Sequence, residues 1–195
     1  MKLWIFSLFF LPLSAWSHER AELPPDLQNT PLAQSALSVL EQAPSELQRL
    51  TGLAPEGVLY GLTVSLQNSE AVAKLHYVSQ DQLNDLLFDC HSHGDHFDCH
   101  AAEQGAPRAL PGPRPGFGVE IFETSLAESL ALFARKVGPL SSLESITIWQ
   151  AGKDVQLILI HRKGTKIQQS HMMCHQHDAD HFDCHRQLDA GPGRP

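Results

Sequence analysis

Apolar side chains recur at two different spacings along the chain, and the spacing predicts the elements. The segments 31–42 and 125–136 carry apolar residues three and four positions apart, which is typical of an amphipathic helix. Thr30 can cap the first of these helices and Ser125 the second. A separate short helix is expected to start at 45–48. The chain is therefore predicted to contain two main helices, one in each half.

After each helix the apolar residues alternate with polar ones, which predicts a β-hairpin. The predicted strands are 58–66 with 71–78 in the first half and 146–150 with 155–162 in the second. Aligning the two hairpins places His76 against His161. Both histidines are therefore possible additional metal ligands, if their strands lie beside the clusters described next.

A cluster of cysteine, histidine and aspartate follows each predicted hairpin. It reads CHSHGDHFDCH at 90–100 and CHQHDADHFDCH at 174–185. Helix, strand, strand and cluster thus occur twice in the same order, which is the mark of an internal repeat. We predict an α+β fold built from an internally duplicated helix–β-hairpin–Cys/His-hairpin unit, with two pseudo-symmetric halves.

The ends of the chain and its middle have different compositions from the two halves. Residues 1–17 combine a lysine, an apolar run and a small-residue end, which predicts a cleaved signal peptide. The first repeat then covers 18–105 and the second 117–187. A Pro/Gly-rich linker at 106–116 separates them, and 188–195 is predicted to be a disordered tail. The protein is therefore expected to be periplasmic or secreted, with no membrane span after cleavage.

Each cluster can fold back on itself as a hairpin, with the extra residue of the second copy placed in its turn at 178–180. The predicted pairs are Cys90 with Cys99, His91 with Asp98, Ser92 with Phe97 and His93 with His96, and then Cys174 with Cys184, His175 with Asp183, Gln176 with Phe182 and His177 with His181. Because strand side chains alternate, the cysteines occupy one face and the imidazoles the other. An oxidising compartment favours a disulfide within each pair of cysteines.

The imidazole face of each hairpin carries the donors that first-row divalent metals prefer. The predicted ligands are His91, His93, His96, Asp98 and His100 in the first cluster and His175, His177, His181, Asp183 and His185 in the second. Zn²⁺ is the favoured ion, with Cu²⁺ or Ni²⁺ as alternatives. If the thiols were reduced, Cys90 and Cys99 with His93 and His96 would instead form a Cys₂His₂ zinc site, and Cys174, His177, His181 and Cys184 would repeat it.

The net charge of −8 and the scattered basic residues argue against a nucleic-acid partner. The favoured function is buffering, sensing or delivery of a divalent metal ion outside the cytoplasm, with a metal transporter or a metal-requiring exported protein as partner. One alternative is a disulfide-stapled interaction module that presents Phe97 and Phe182. Another is a zinc-dependent hydrolase, although no separate catalytic motif accompanies the clusters, which favours a non-enzyme. The sequence leaves open whether the two clusters meet in one centre.

Overall fold

A computed structural model describes residues 30–67, 70–93, 97–178 and 181–187. The predicted signal peptide and tail lie outside these residues. The helices are α1 (Pro31–Thr51) and α2 (Val119–Lys136), with short 3₁₀ turns at Pro55–Gly57 and Leu140–Ser142. The strands are β1 (Leu59–Gln67), β2 (Glu70–Ser79), β3 (Gln82–Ser92), β4 (Phe97–Gln104), β5 (Arg108–Ala109), β6 (Leu143–Ala151), β7 (Asp154–Lys163), β8 (Lys166–Asp178) and β9 (His181–Gln187).

The strands form one large antiparallel sheet, so the predicted α+β class is confirmed. Eight strands follow the order β4-β3-β2-β1-β6-β7-β8-β9, and β5 pairs with β3 at the side of this path. Both helices pack on one face, where their apolar stripes join the inward residues of the strands in a single core. The opposite face carries no helix among the described residues, and we call it the open face.

The two helices differ from the prediction at their boundaries. Helix α1 begins after Thr30 as expected, but the Thr30 side chain makes no capping hydrogen bond. It then runs on through Pro44, so the separate helix expected at 45–48 is wrong; its buried stripe, which includes Leu40 and Leu47, continues across the proline. Helix α2 begins six residues before Ser125, which is buried inside the helix and does not cap it. In both cases burial of an apolar stripe outweighs the local start signal.

The first residues of the strands recur at a constant separation along the chain. Leu59 begins β1 and Leu143 begins β6, and the same 84-residue separation relates the starts of β2 and β7 and of β3 and β8. This separation matches Tyr77, not His76, to His161, so the sequence alignment was wrong by one position. The error matters because strand faces alternate: His161 is buried on the helix side, whereas His76 faces the open side.

The segment predicted as a linker, 106–116, is tied to the sheet at several points. Its residues Arg108–Ala109 form β5 against β3. Arg114 pairs with the carboxylate of Asp81. At its end, the N–H of Gly116 donates to Oε1 of Gln150 at 2.8 Å. The segment therefore passes along the end of the sheet before the chain enters α2. No helix in the described ranges is long and apolar enough to cross a membrane.

Candidate metal centre

The first Cys/His hairpin consists of the end of β3 and the start of β4, and its register matches the prediction. Cys90 lies opposite Cys99, and His91 lies opposite Asp98. Ser92 lies opposite Phe97. The expected partner of His93 is His96, which lies outside the described residues, so this pair stays a prediction.

The second Cys/His hairpin, β8 with β9, keeps the cysteine pair Cys174–Cys184 in the same relation. His175 opposite Asp183 and Gln176 opposite Phe182 are confirmed as well. Nearer the tip, however, His181 pairs with Asp178, so the predicted pairing of His177 with His181 is wrong. The extra residue of this copy is absorbed as a register shift between Gln176 and Asp178, since a strand accommodates one inserted residue as a bulge.

Both cysteine pairs are disulfides, Cys90–Cys99 and Cys174–Cys184. They face the helices: Sγ of Cys99 lies 3.6 Å from the carbonyl oxygen of Ser35 in α1. In the second half, Sγ of Cys184 lies 3.8 Å from the carbonyl oxygen of Ser125 in α2.

Because these sulfurs are bonded to each other and packed under helices, they are not placed as metal ligands. The alternative Cys₂His₂ arrangement is therefore wrong. The cysteine and histidine side chains of one hairpin point to opposite faces of the strands, so they cannot bind the same ion.

Three imidazoles come together on the open face of the first hairpin. One ring nitrogen each of His91, His93 and His100 can be chosen so that all lie within 4.8 Å of one another. The ring centroids of His91 and His93 are 4.7 Å apart, and those of His91 and His100 are 5.2 Å apart. Asp98 borders the group, with its Oδ2 3.7 Å from Nε2 of His93. All three histidines are exposed, so an ion can reach them directly.

The second hairpin places a similar but looser group on the same face. The rings of His175 and His185 stack at 4.9 Å, and His177 lies 6.4 Å from His175. The neighbouring strand β7 adds Asp154, whose Oδ1 accepts a hydrogen bond from Nδ1 of His175 at 2.7 Å. Asp183 is exposed opposite His175, and nothing is described of the His181 side chain.

Asp154 is a residue that the sequence reasoning missed. It lies in the predicted turn between two strands, 20 positions from the cluster, and only the pairing of β7 with β8 brings it beside His175. A carboxylate that binds one imidazole nitrogen orients the ring and leaves the other nitrogen for a metal. Asp154 therefore occupies the position of an outer partner in a carboxylate–histidine–metal arrangement.

The two hairpins lie far apart, which answers the question of a joint centre. They stand at opposite edges of the sheet, and five strand steps separate β3 from β8. At the usual spacing between strands this amounts to about 24 Å across the sheet. They also project from opposite ends, because β1 and β6 are antiparallel. The two hairpins therefore do not form one joint centre.

His76 and His161 do not join either group. His76 pairs with Asp85, which lies six residues before His91 along β3, or about 20 Å at the rise of a strand. His161 is only 4% exposed and packs edge-on against Phe133 of α2, with its ring centroid 5.0 Å away. Neither residue can complete a site in the hairpins, so the suggestion that they are spare ligands is wrong.

No protein-family model matches the chain, and no curated protein sequence does either. Among solved structures, the chain is similar to one described as a "putative lipoprotein" from Clostridium difficile 630. The two share 8% sequence identity with a TM-score of 0.44, and the alignment covers 82% of this chain and 98% of the other. Similarity at this level carries no conclusion about function.

Proposed function

We propose that the protein is an exported metal-binding protein that binds a divalent metal ion on the open face of each Cys/His hairpin. Zn²⁺ is the favoured ion. The observation that carries this proposal is the group of three imidazoles, His91, His93 and His100, on one hairpin. Three nitrogen donors with a carboxylate beside them match the donor set of a four-coordinate zinc site. His96, if its side chain joins the same face, adds a further donor to this set.

The geometry of the first site needs only a small adjustment to accept an ion. Nitrogens bound to Zn²⁺ at about 2.0–2.1 Å in a tetrahedron lie about 3.3 Å from each other. The observed limit of 4.8 Å is therefore wider by about 1.5 Å. Exposed imidazoles can close this gap by rotating about their side-chain bonds.

The second site would bind through His175, His177 and His185, with Asp183 as the acidic neighbour and His181 as a further candidate. The hydrogen bond from His175 to Asp154 fixes Nδ1 as the protonated nitrogen and directs Nε2 to the ion. The first hairpin has an acidic residue at the matching place, because Glu70 stands beside Ala71, the register partner of Cys90. Both sites thus have a carboxylate on the adjacent strand.

We also infer that the halves arose by internal duplication. The 84-residue separation that relates the strands also relates Cys90 to Cys174 and His91 to His175. In the central pair of strands, Thr63 lies directly opposite Thr147, which is its equivalent under the same separation. An approximate twofold axis between these two threonines relates the halves and carries one hairpin onto the other.

The disulfides support a location outside the cytoplasm, in the periplasm or the extracellular medium. Exposed ligands without an enclosing cavity favour rapid exchange of the ion, which suits buffering or delivery to a metal transporter or a metal-requiring exported protein. The rival interaction module is less well supported. Phe182 packs against the core on the cysteine side and does not project from the open face.

The test is a count of bound zinc by native mass spectrometry, with affinities from calorimetry. We expect two Zn²⁺ per chain for the unaltered protein and one for the His91→Ala/His93→Ala double variant. His171→Ala is the matched control: His171 lies on β8 outside both groups, and its loss should leave two ions bound.

Zinc binding weaker than millimolar by the unaltered protein would contradict the proposal. So would a control variant that loses an ion as the double variant does, since binding would then not depend on the named imidazoles. Copper and nickel titrations on the same samples determine which ion the sites prefer.

A further inference from the structure

A cavity of about 410 Å³ lies on the open face near the centre of the sheet, away from both hairpins. The 106–116 segment forms one wall through Arg108, Ala109 and Pro111, and the sheet supplies the others. The sheet residues that line it are Tyr60, Thr63, His76, Leu83, Thr147 and Trp149. Its size falls within the range of about 300–1,000 Å³ that small-molecule sites occupy.

The floor of the cavity between Trp149 and His76 lies over one glycine. Gly61 pairs with Trp149 on one side and with His76 on the other. A Cβ at Gly61 would approach the carbonyl oxygen of Ile148 to 2.4 Å and Cβ of Trp149 to 2.9 Å. With no side chain at this position, the space between the indole and the imidazole stays open.

A hydrogen-bond chain forms the polar wall. Asp85 Oδ1 accepts from Nδ1 of His76 at 2.7 Å and from Nη2 of Arg108 at 2.7 Å. Because Nδ1 carries the proton, Nε2 is an acceptor, and the hydroxyl of Thr63 donates to it at 3.0 Å. Burial lowers the pKa of His76, so the imidazole is neutral at neutral pH. The oxygen of Thr63 keeps its lone pairs for another partner.

The charge at the mouth of the cavity is positive, although the chain as a whole carries −8. The Asp85 side chain is only 13% exposed, whereas the Arg108 side chain is 51% exposed. Lys74 adds a second cation, because it lies on the same face two residues from His76. One partly buried carboxylate accompanies two accessible cations, which favours an anionic ligand.

The histidine and the aspartate that form the polar wall have no equivalents in the second half. The 84-residue separation matches Gly61 to Ser145, His76 to Ile160 and Asp85 to Gln169. Trp149 has Ser65 as its counterpart. The features that form the floor and the polar wall therefore occur on one side of the approximate twofold axis. A purely structural hydrogen-bond network of the duplicated sheet would be expected on both sides.

We propose that this cavity binds a small organic carboxylate whose apolar body packs against Trp149 and Pro111 and whose carboxylate is held by Arg108. The chain Thr63–His76–Asp85 has the connectivity of a nucleophile, base and orienting acid. Thr63 lies in the middle of a central strand, however, paired on both sides, so the strand N–H groups around it bond to neighbouring strands and cannot hold an oxyanion. The cavity is therefore a binding site.

The test uses phenylacetate as the probe and phenylacetamide as its neutral match, on protein freed of metal beforehand with a chelating resin so that no soluble carboxylate competes. Ligand-observed NMR and calorimetry measure binding to the full chain, expected at about 1 mM or tighter for the acid. Trp149 is the only tryptophan in the described part of the chain, so a change in fluorescence that disappears in Trp149→Phe locates the probe.

Arg108→Gln removes the charge but keeps a polar N–H group, and should weaken phenylacetate binding about tenfold or more, because a charge-assisted hydrogen bond is lost. Arg162→Gln is the matched control: Arg162 is 53% exposed and pairs with Glu144, and its change should leave binding unaltered. Lys74→Gln gives a second, smaller loss that does not disturb β5.

No detectable phenylacetate binding would overturn the inference. Equal affinity for the amide would do the same, as would equal losses in the Arg108 and Arg162 variants.

Discussion

Removing the first disulfide tests how much the covalent link stabilises its hairpin. In the double variant Cys90→Ala/Cys99→Ala, the unfolded chain regains the conformational entropy that a disulfide across nine positions removes. In the chain-entropy account this is about 8.7 cal/mol/K, or about 2.6 kcal/mol at 25 °C. The second link spans ten positions, so its expected contribution is about 2.7 kcal/mol.

The assay is urea unfolding followed by circular dichroism, with the free energy of unfolding extrapolated to water. For a domain of this size, a loss of about 2.6 kcal/mol also lowers the melting temperature by about 5–10 °C. Full reduction of the unaltered protein is the control, since it opens both links but keeps every sulfur atom. The two loops do not overlap in sequence, so the losses should add to about 5 kcal/mol.

Two results would refute this reasoning. If reduction left the stability unchanged while the alanine variant lost it, the stabilisation would come from packing of the sulfurs against Ser35 and the core, and not from the link. Loop length predicts nearly equal losses of stability for the two disulfides. If the two measured losses differed by more than about 1 kcal/mol, loop length would not explain the stabilisation.

Three further predictions follow from single contacts. Gly61→Ala should lower the free energy of unfolding, measured with urea, by about 1–3 kcal/mol, because the added Cβ meets the neighbouring strand. Gly57→Ala is the control, since a Cβ there has nothing within 4 Å and should leave the stability unchanged. An equal effect of the two substitutions would contradict this prediction. Burial lowers the pKa of His161, so below about pH 6.5 the unfolded state binds a proton more readily than the folded state does. The free energy of unfolding should therefore decrease as the pH drops toward the lower pKa of the folded state. In His161→Gln this pH-dependent decrease should be smaller. Asp154→Asn should weaken zinc binding at the second hairpin about 10–100-fold, as measured by calorimetry, and leave the affinity of the first hairpin unchanged. Equal zinc affinities in the variant and the unaltered protein would exclude an orienting role of Asp154.

The facing relationships inside each Cys/His hairpin could be predicted from the sequence. Cys90 opposite Cys99 and His91 opposite Asp98 follow from a chain that reverses within eleven residues, because strand side chains alternate with a period of two. The same rule failed at His177 and His181, where the inserted residue could be placed either in the turn or in a bulge. Local pattern does not distinguish these two solutions.

The sequence by itself determined the α+β class, the order of helix and strands in each half, and the separation of sulfurs from imidazoles within each hairpin. Only the tertiary structure decided that Asp154 meets His175, that the hairpins stand at opposite edges of one sheet, and that the 106–116 segment forms one wall of a cavity on the open face. The physical reason is the range of the interactions. Periodicity and turns act between residues close in the chain, whereas pairing between distant strands depends on the shared burial of all their faces together.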